Sequence, residues 1–295
     1  NLLPKADASD VQVDAAIAAS FNQPVVALGG DASSRPSAFS IQPALAGNGE
    51  WINTSTYIFY PESSMFGGTE YTVSLNPALK TVTGVRLALS EAVGLEGGMQ
   101  SWKFVTARPR VVTLNPPADK FISPDAKIML TFNQPMDEES VRANFLITGN
   151  DGPVNGRFTW NDEATELTFT PDEFLARNSG YLLNVSRDAQ SQGGTSLGED
   201  YGAVVNTFPE FAVTGTDPQL WSVNVSFSSP IAEGEYKDDV TVTPAVDNFE
   251  VGVYETDTGL SMYVNGIYLP ATDYTIELAG TIQDKWGQPL GDPYV

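Results

Sequence analysis

Apolar residues alternate with polar ones in short bursts along this chain, and three of the bursts end alike. Ile128, Leu130 and Phe132 run into Asn133-Gln134-Pro135-Met136. Ile17, Ala19 and Phe21 run into Asn22-Gln23-Pro24-Val25, and Val223, Val225 and Phe227 into Ser228-Ser229-Pro230-Ile231. A period of two predicts a half-buried strand. A proline has no N–H for the ladder, so each strand should stop there or move to an edge. Phe21, Phe132 and Phe227 are therefore expected in the core, each followed by a proline at a strand end.

The same reading, taken in order, divides the chain into three copies of one unit. In the first, Val11 to Phe21 reads as a single alternating strand, followed by Phe39 and Ile41, Trp51, and Tyr57 to Tyr60 before Pro61. Tyr71 to Leu75 and Trp102 to Thr106 complete it, with Gly84 to Leu87 between them and a Gly-rich loop over Leu89 to Gln100. The second has Val111 to Leu114, the Ile128 strand, a short helix over Glu138 to Asn144 capped by Asp137, and Phe145 to Ile147. A hairpin follows, carrying Phe158 and Trp160 against Leu167 and Phe169 across Asn161-Asp162-Glu163, then Tyr181 to Val185 and Val204 to Phe208. The third has Trp221 to Phe227, Val240 and Val242, a hairpin of Val251 to Tyr254 against Leu260 to Val264, and Tyr274 to Leu278.

Spacing separates a repeat from a coincidence. The strand tyrosine precedes a glycine by 13 residues in each copy, at Tyr71 and Gly84, Tyr181 and Gly194, Tyr274 and Gly287. A leucine follows each glycine by three, at Leu87, Leu197 and Leu290. Three homologous domains follow, with expected bounds 1–107, 108–208 and 209–295. About seven short strands per copy, with turn signals between them, predict an all-β chain: three tandem antiparallel β-sandwich domains of immunoglobulin-like (Ig-like) topology, in a row. Proline in the links Arg108-Pro109-Arg110 and Pro209-Glu210 predicts a semi-rigid row. At ~3.3 Å per strand residue it should reach on the order of 100 Å if nearly straight. Only five residues follow Leu290, so the last strand of the third copy is expected to be cut off or only begun at Tyr294-Val295.

Charge narrows the partners. There are 37 acidic and 15 basic residues, a net charge of −22. That argues against nucleic acid and anionic membrane, which need a cationic face. The sequence has no Cys and no His, which removes disulfides, thiolate chemistry, histidine bases and the usual zinc sites. No apolar run reaches the ~20 residues of a spanning helix. Asn1 is not a natural start, and the chain reads as part of a longer one.

A family resemblance rests on these residues. Pro116-Pro117, Ile128 to Asp137, Leu167 to Pro171, Tyr181 and Gly194-Thr195-Ser196-Leu197 resemble bacterial Ig-like domains of S-layer and other surface proteins. The match covers the second copy and, more loosely, the first and third. Leu269 to Ile276 with Asp284-Lys285-Trp286-Gly287-Gln288-Pro289-Leu290 is similar to segments preceding the macroglobulin-like domains of bacterial α2-macroglobulins, envelope proteins that trap proteases. The resemblance implies an extracytoplasmic scaffold at the cell surface or in the periplasm, lipid-anchored, if at all, outside these residues. Its implied partners are downstream domains of the same chain. The thioester of that family needs a Cys and lies outside these residues too.

No residue is assigned a catalytic, cofactor or metal role. Asp137, Glu138 and Glu139 are explained by a helix start, and Asp162, Glu163 and Glu166 by a hairpin turn. Ca²⁺ is the one cofactor weighed, through Asp238-Asp239 or Glu255 with Asp257, against ordinary acidic turns; no Asp-x-Asp-x-Asp-Gly loop is present. Asp284 reads as a turn residue. Trp51, Trp102, Trp160, Trp221 and Trp286 read as core rather than sugar platforms. Asn53, Asn184 and Asn224 open formal glycosylation sequons that mean little in a bacterial protein. The expectation is a non-catalytic spacer, the N-terminal Ig-like region of an α2-macroglobulin-like inhibitor. The alternatives are an S-layer or adhesin segment binding cell-wall glycan or protein, and an accessory module of a secreted carbohydrate-active enzyme.

Overall fold

A computed structural model describes residues 1–27, 35–85, 87, 101–254 and 261–295. Three hydrophobic cores lie along the chain, each enclosed by its own pair of sheets. In the second, the first sheet orders Gly156–Trp160, Glu166–Pro171, Ile128–Phe132 and Val111–Asn115. The facing sheet orders Phe121–Ile122, Tyr201–Thr207, Gly180–Val185, Phe145–Gly149 and Gly152–Pro153. Alternation fixes the faces: Ile128, Leu130 and Phe132 point inward against Leu167 and Phe169, and Tyr181, Leu183 and Val185 come in from the other side. The single helix among the described residues, Glu138–Ala143, starts where expected, with the Asp137 carboxylate accepting the Ser140 N–H at 2.7 Å.

The first domain repeats this plan with Leu2–Leu3, Ile17–Ser20, Thr56–Pro61 and Gly47–Trp51 facing Ala8–Val11, Ser101–Thr106, Glu70–Leu75 and Phe39–Gln42. The expected single strand from Val11 to Phe21 is in fact two pieces on opposite sheets. Val11 belongs to Ala8–Val11, which pairs parallel with Ser101–Thr106, and only Ile17–Ser20 joins the other sheet. Phe121–Ile122 pairs parallel with Tyr201–Thr207 in the same way. The expected loop over Leu89 to Gln100 lies outside the described residues.

The third domain has Val213–Pro218, Ser222–Phe227, Ser261–Ile267 and Asp247–Tyr254 in one sheet. Among the described residues its second sheet holds Val240–Thr243 and Thr275–Leu278, extended by one bridge between Leu278 and Tyr294.

Two burial expectations need correction. Phe132 and Phe227 are buried, but Phe21 is half-buried, tilted against Trp51 at the rim of the first core. Trp221 does not continue the alternation of its strand. It sits at the tip between Pro218 and Ser222 and is 59% exposed.

Candidate functional site

In each copy the proline that ends the strand and the glycine turn are bonded to one another. The proline carbonyl after each strand-ending Phe accepts a backbone N–H from the glycine turn: Pro24 from Val82, Pro135 from Gln192, Pro230 from Lys285, at 2.8–3.0 Å. Each turn is closed by the glycine N–H, from Gly84 to Thr81, Gly194 to Ser191 and Gly287 to Asp284. All three glycines have φ near +80°, a region that carries a steric cost for residues with a Cβ. The leucine three places on packs into its own core.

A second fixture holds the opposite end of each domain. The Tyr71, Tyr181 and Tyr274 hydroxyls accept the backbone N–H five residues upstream, from Phe66 at 2.9 Å, Ala176 at 2.7 Å and Leu269 at 2.9 Å. This is a tyrosine corner, a device that pins the loop entering the strand. Burial pushes the Tyr71 phenol above its ordinary range, more than the Phe66 hydrogen bond pulls it down.

These two fixtures meet at the domain junctions. The corner loop of one domain rests on the glycine turn of the next, twice, with different chemistry. At the first junction the Thr195 hydroxyl donates to the Gly67 carbonyl at 2.9 Å. A Cβ on Gly193 would lie 2.8 Å from the Met65 carbonyl, and one on Gly67 would lie 2.8 Å from the Ala107 carbonyl. The backbones of the two domains touch at Gly193 because it lacks a side chain, and the bare Gly67 leaves room for the Gln134 amide of the second domain. Asn133 ties down the linker, donating to the Arg108 carbonyl and accepting the Arg110 N–H, both at 2.8 Å. A cleft of about 700 Å³ opens beside the linker, lined by Asp10, Arg108, Arg110, Asp200 and Tyr201 among others.

At the second junction, side chains fill the equivalent space. Arg177 occupies the place of Gly67, four residues before the corner tyrosine, and Trp286 the place of Gly193. The Arg177 guanidinium donates to Asp284 Oδ2 and stands over the Trp286 ring. Trp286 stacks on Phe208 at 5.5 Å and donates to Asp125 Oδ1 at 2.9 Å. Asp284 is the turn residue expected and more than that. Its Oδ1 accepts the Trp286 and Gln288 N–H groups, and its Oδ2 also accepts the Ser229 hydroxyl at 2.9 Å. Arg177 was not legible as a partner, because its mate lies 107 residues away.

The other acidic candidates are scattered. Asp162 and Glu163 are exposed in the hairpin turn, and Glu166 lies in the following strand. Asp239 accepts the Thr281 hydroxyl at 3.1 Å. Glu255 and Asp257 lie outside the described residues. Among the described residues no group of three or more Asp or Glu side chains is placed to hold a metal ion. No helix there is long and apolar enough to cross a membrane. Trp51 and Trp102 are buried, Trp160 is half-buried, and Trp286 is an interdomain residue.

Comparison with known proteins agrees with the internal repeat. A family model described as a bacterial Ig-like domain matches three times, over residues 1–106, 105–209 and 199–295. No curated protein matches the chain. Among solved structures, native α2-macroglobulin from Escherichia coli aligns at 15% identity over 49% of this chain and 45% of that one, with a TM-score of 0.29. An L,D-transpeptidase from Mycobacterium smegmatis aligns at 20% identity over 54% and 75%, with a TM-score of 0.27. Titin domains align at 12% identity over 99% and 94%, with a TM-score of 0.31. The chain thus spans less than half of that α2-macroglobulin chain.

Proposed function

We propose that this chain, which belongs to the bacterial Ig-like domain family over essentially its whole length, is a non-catalytic, stiff spacer in a bacterial envelope protein. The working units are residues 1–107, 108–208 and 209–295. The observation that carries the reading is the repeated junction: corner loop on glycine turn, closed once by backbone contact and once by the buried Arg177–Asp284 pair. Domains joined only by linkers move independently by default, so side-chain contacts of this kind are what a spacer needs to hold its angle. The surplus of acidic residues keeps such a surface soluble and disfavours nucleic acid.

The finer reading places the spacer in the N-terminal part of an α2-macroglobulin-like protease inhibitor. It rests on the third-domain phrase Asp284-Lys285-Trp286-Gly287-Gln288-Pro289-Leu290, whose first and third residues make the second junction. In that setting the chain spaces and presents other domains and traps nothing itself. Small-angle scattering tests the spacer: one extended conformer should fit the curve, and an ensemble of unrelated domain angles would refute it. The parent gene tests the finer reading. Macroglobulin-like domains with a Cys-Gly-Glu-Gln thioester support it, and their absence sinks it.

A further inference from the structure

The cleft beside the first link gathers cations in a chain that is short of them. It measures about 700 Å³. The first domain contributes Asp10 to its lining, the second Glu199, Asp200 and Tyr201, and the link Arg108 and Arg110. Basic residues number 15 against 37 acidic ones, so two guanidiniums in one cleft need a reason.

The link itself does not require them. Asn133 fastens the first link by donating to the Arg108 carbonyl and accepting the Arg110 N–H. Ser228 fastens the second link in the same manner, donating to the Glu210 carbonyl and accepting the Ala212 N–H. Arg108 thus stands where the second link has Glu210, and Arg110 where it has Ala212. A glutamate and an alanine serve the same backbone bonds, so neither guanidinium is needed to hold the chain there.

Arg108 is nonetheless given a seat. A Cβ on Gly68 would lie 2.5 Å from Arg108 Cγ, and one on Gly198 would lie 3.5 Å from a guanidinium nitrogen. Its stem therefore crosses a bare glycine of the first domain, and its head lies beside a bare glycine of the second. The second domain has Asn178 in the place of Gly68, three residues before the corner tyrosine, so the seat is particular to the first junction.

Charge within the cleft is partly neutralised. Asp200 accepts the Arg187 backbone N–H at 2.8 Å and its guanidinium at 3.0 Å, and Arg110 lies 4.0 Å from Asp10. Glu199 is exposed. The Arg108 guanidinium has no ion pair or hydrogen bond among the described residues. A guanidinium seated by its stem and open at its fork matches the two oxygens of a carboxylate or phosphate, and clefts between domains are where ligands are commonly held.

We propose that this cleft binds an oxyanion, a carboxylate or phosphate group of a soluble ligand, taken by Arg108 with Arg110 beside it. Asp10, Glu199 and Asp200 around it repel a polyanion, so the site fits a ligand of low negative charge and not a highly charged polymer. The site goes beyond the spacer reading and does not rest on it.

Isothermal titration of the 295-residue protein with inorganic phosphate and, separately, with succinate, at constant ionic strength in chloride buffer, tests the site. At least one of the two should saturate a single site with a millimolar or lower Kd. Saturation by phosphate alone assigns a phosphate-bearing ligand, by succinate alone a carboxylate-bearing one, and by both an oxyanion site without preference. Arg108→Glu, the residue type that the second link carries, should weaken binding at least about tenfold and leave the thermal midpoints where they were. Arg157→Gln, on an exposed strand outside the cleft, should leave binding unchanged. No saturable binding of either anion, or equal affinity in the Arg108→Glu protein, would overturn the proposal.

Discussion

Asp284 of the third domain receives the Arg177 guanidinium of the second while its own side chain is wholly enclosed. The two residues are not equivalent partners. Asp284 also holds the Ser229 hydroxyl and two N–H groups of its own turn, whereas among the described residues the Arg177 guanidinium additionally reaches the Pro209 carbonyl at 3.4 Å and the face of Trp286. Asp284→Ala should therefore cost the third domain about 3–5 kcal/mol, the range for breaking a buried ionic network. Arg177→Ala leaves the carboxylate with three donors and should cost only about 1–2 kcal/mol, mainly as loss of docking. Urea unfolding followed at domain-specific probes checks the order, which reverses if Asp284 serves only the junction.

Gly193 and Gly194 separate junction from domain. A Cβ at Gly193 meets the Met65 carbonyl and the Phe66 backbone of the first domain, while Gly194 has only a Phe66 ring atom near 3.9 Å but sits at φ +81°. Gly193→Ala should change the angle between the first two domains in scattering and leave the melting of the second domain within about 0.5 kcal/mol of its starting value. Gly194→Ala should do the opposite, costing about 1–2 kcal/mol through backbone strain.

The tyrosine corner predicts the cost of one oxygen atom. Tyr181→Phe keeps the ring and strands the Ala176 N–H. A loss of about 1–3 kcal/mol is expected in the second domain alone, read by its denaturant midpoint. An unchanged midpoint would mean that the hydroxyl bond adds nothing net.

Alkaline pH acts on one corner tyrosine, Tyr71, and on three phenols elsewhere. Burial raises the phenols of Tyr71, Tyr201, Tyr236 and Tyr268. A phenol raised in the fold is bound to its proton more tightly there than in the unfolded chain. Its contribution is thus full below the unfolded value of about 10 and falls as pH rises through the folded one. Urea midpoints should therefore fall above pH 10, in step with tyrosinate absorbance, and Tyr71→Phe should reduce the slope.

Much of this was legible in the residues, and the physical reason is locality. Alternation located Ile128–Phe132, Glu166–Pro171 and Gly180–Val185 because each strand has one buried and one solvated face. The tyrosine–glycine spacing marked the repeat because the corner and the turn are both local bonding patterns. What stayed hidden depends on distant partners. Ala8–Val11 and Phe121–Ile122 are short edge strands whose parallel mates lie at the far end of each domain. The period ran unbroken through Val11 to Phe21 even though the chain crosses between sheets there. Arg177 and Asp284 each look like ordinary polar turn residues until the junction brings them together.

The central claim is that the three domains hold one fixed arrangement. The absence of Cys makes a direct measurement simple. Spin labels on Asn48→Cys in the first domain and Thr241→Cys in the third, both exposed positions, report the end-to-end geometry by pulsed electron resonance. A single narrow distance distribution that broadens in the Arg177→Ala background is the predicted result. A broad distribution that is the same with and without Arg177 would contradict it.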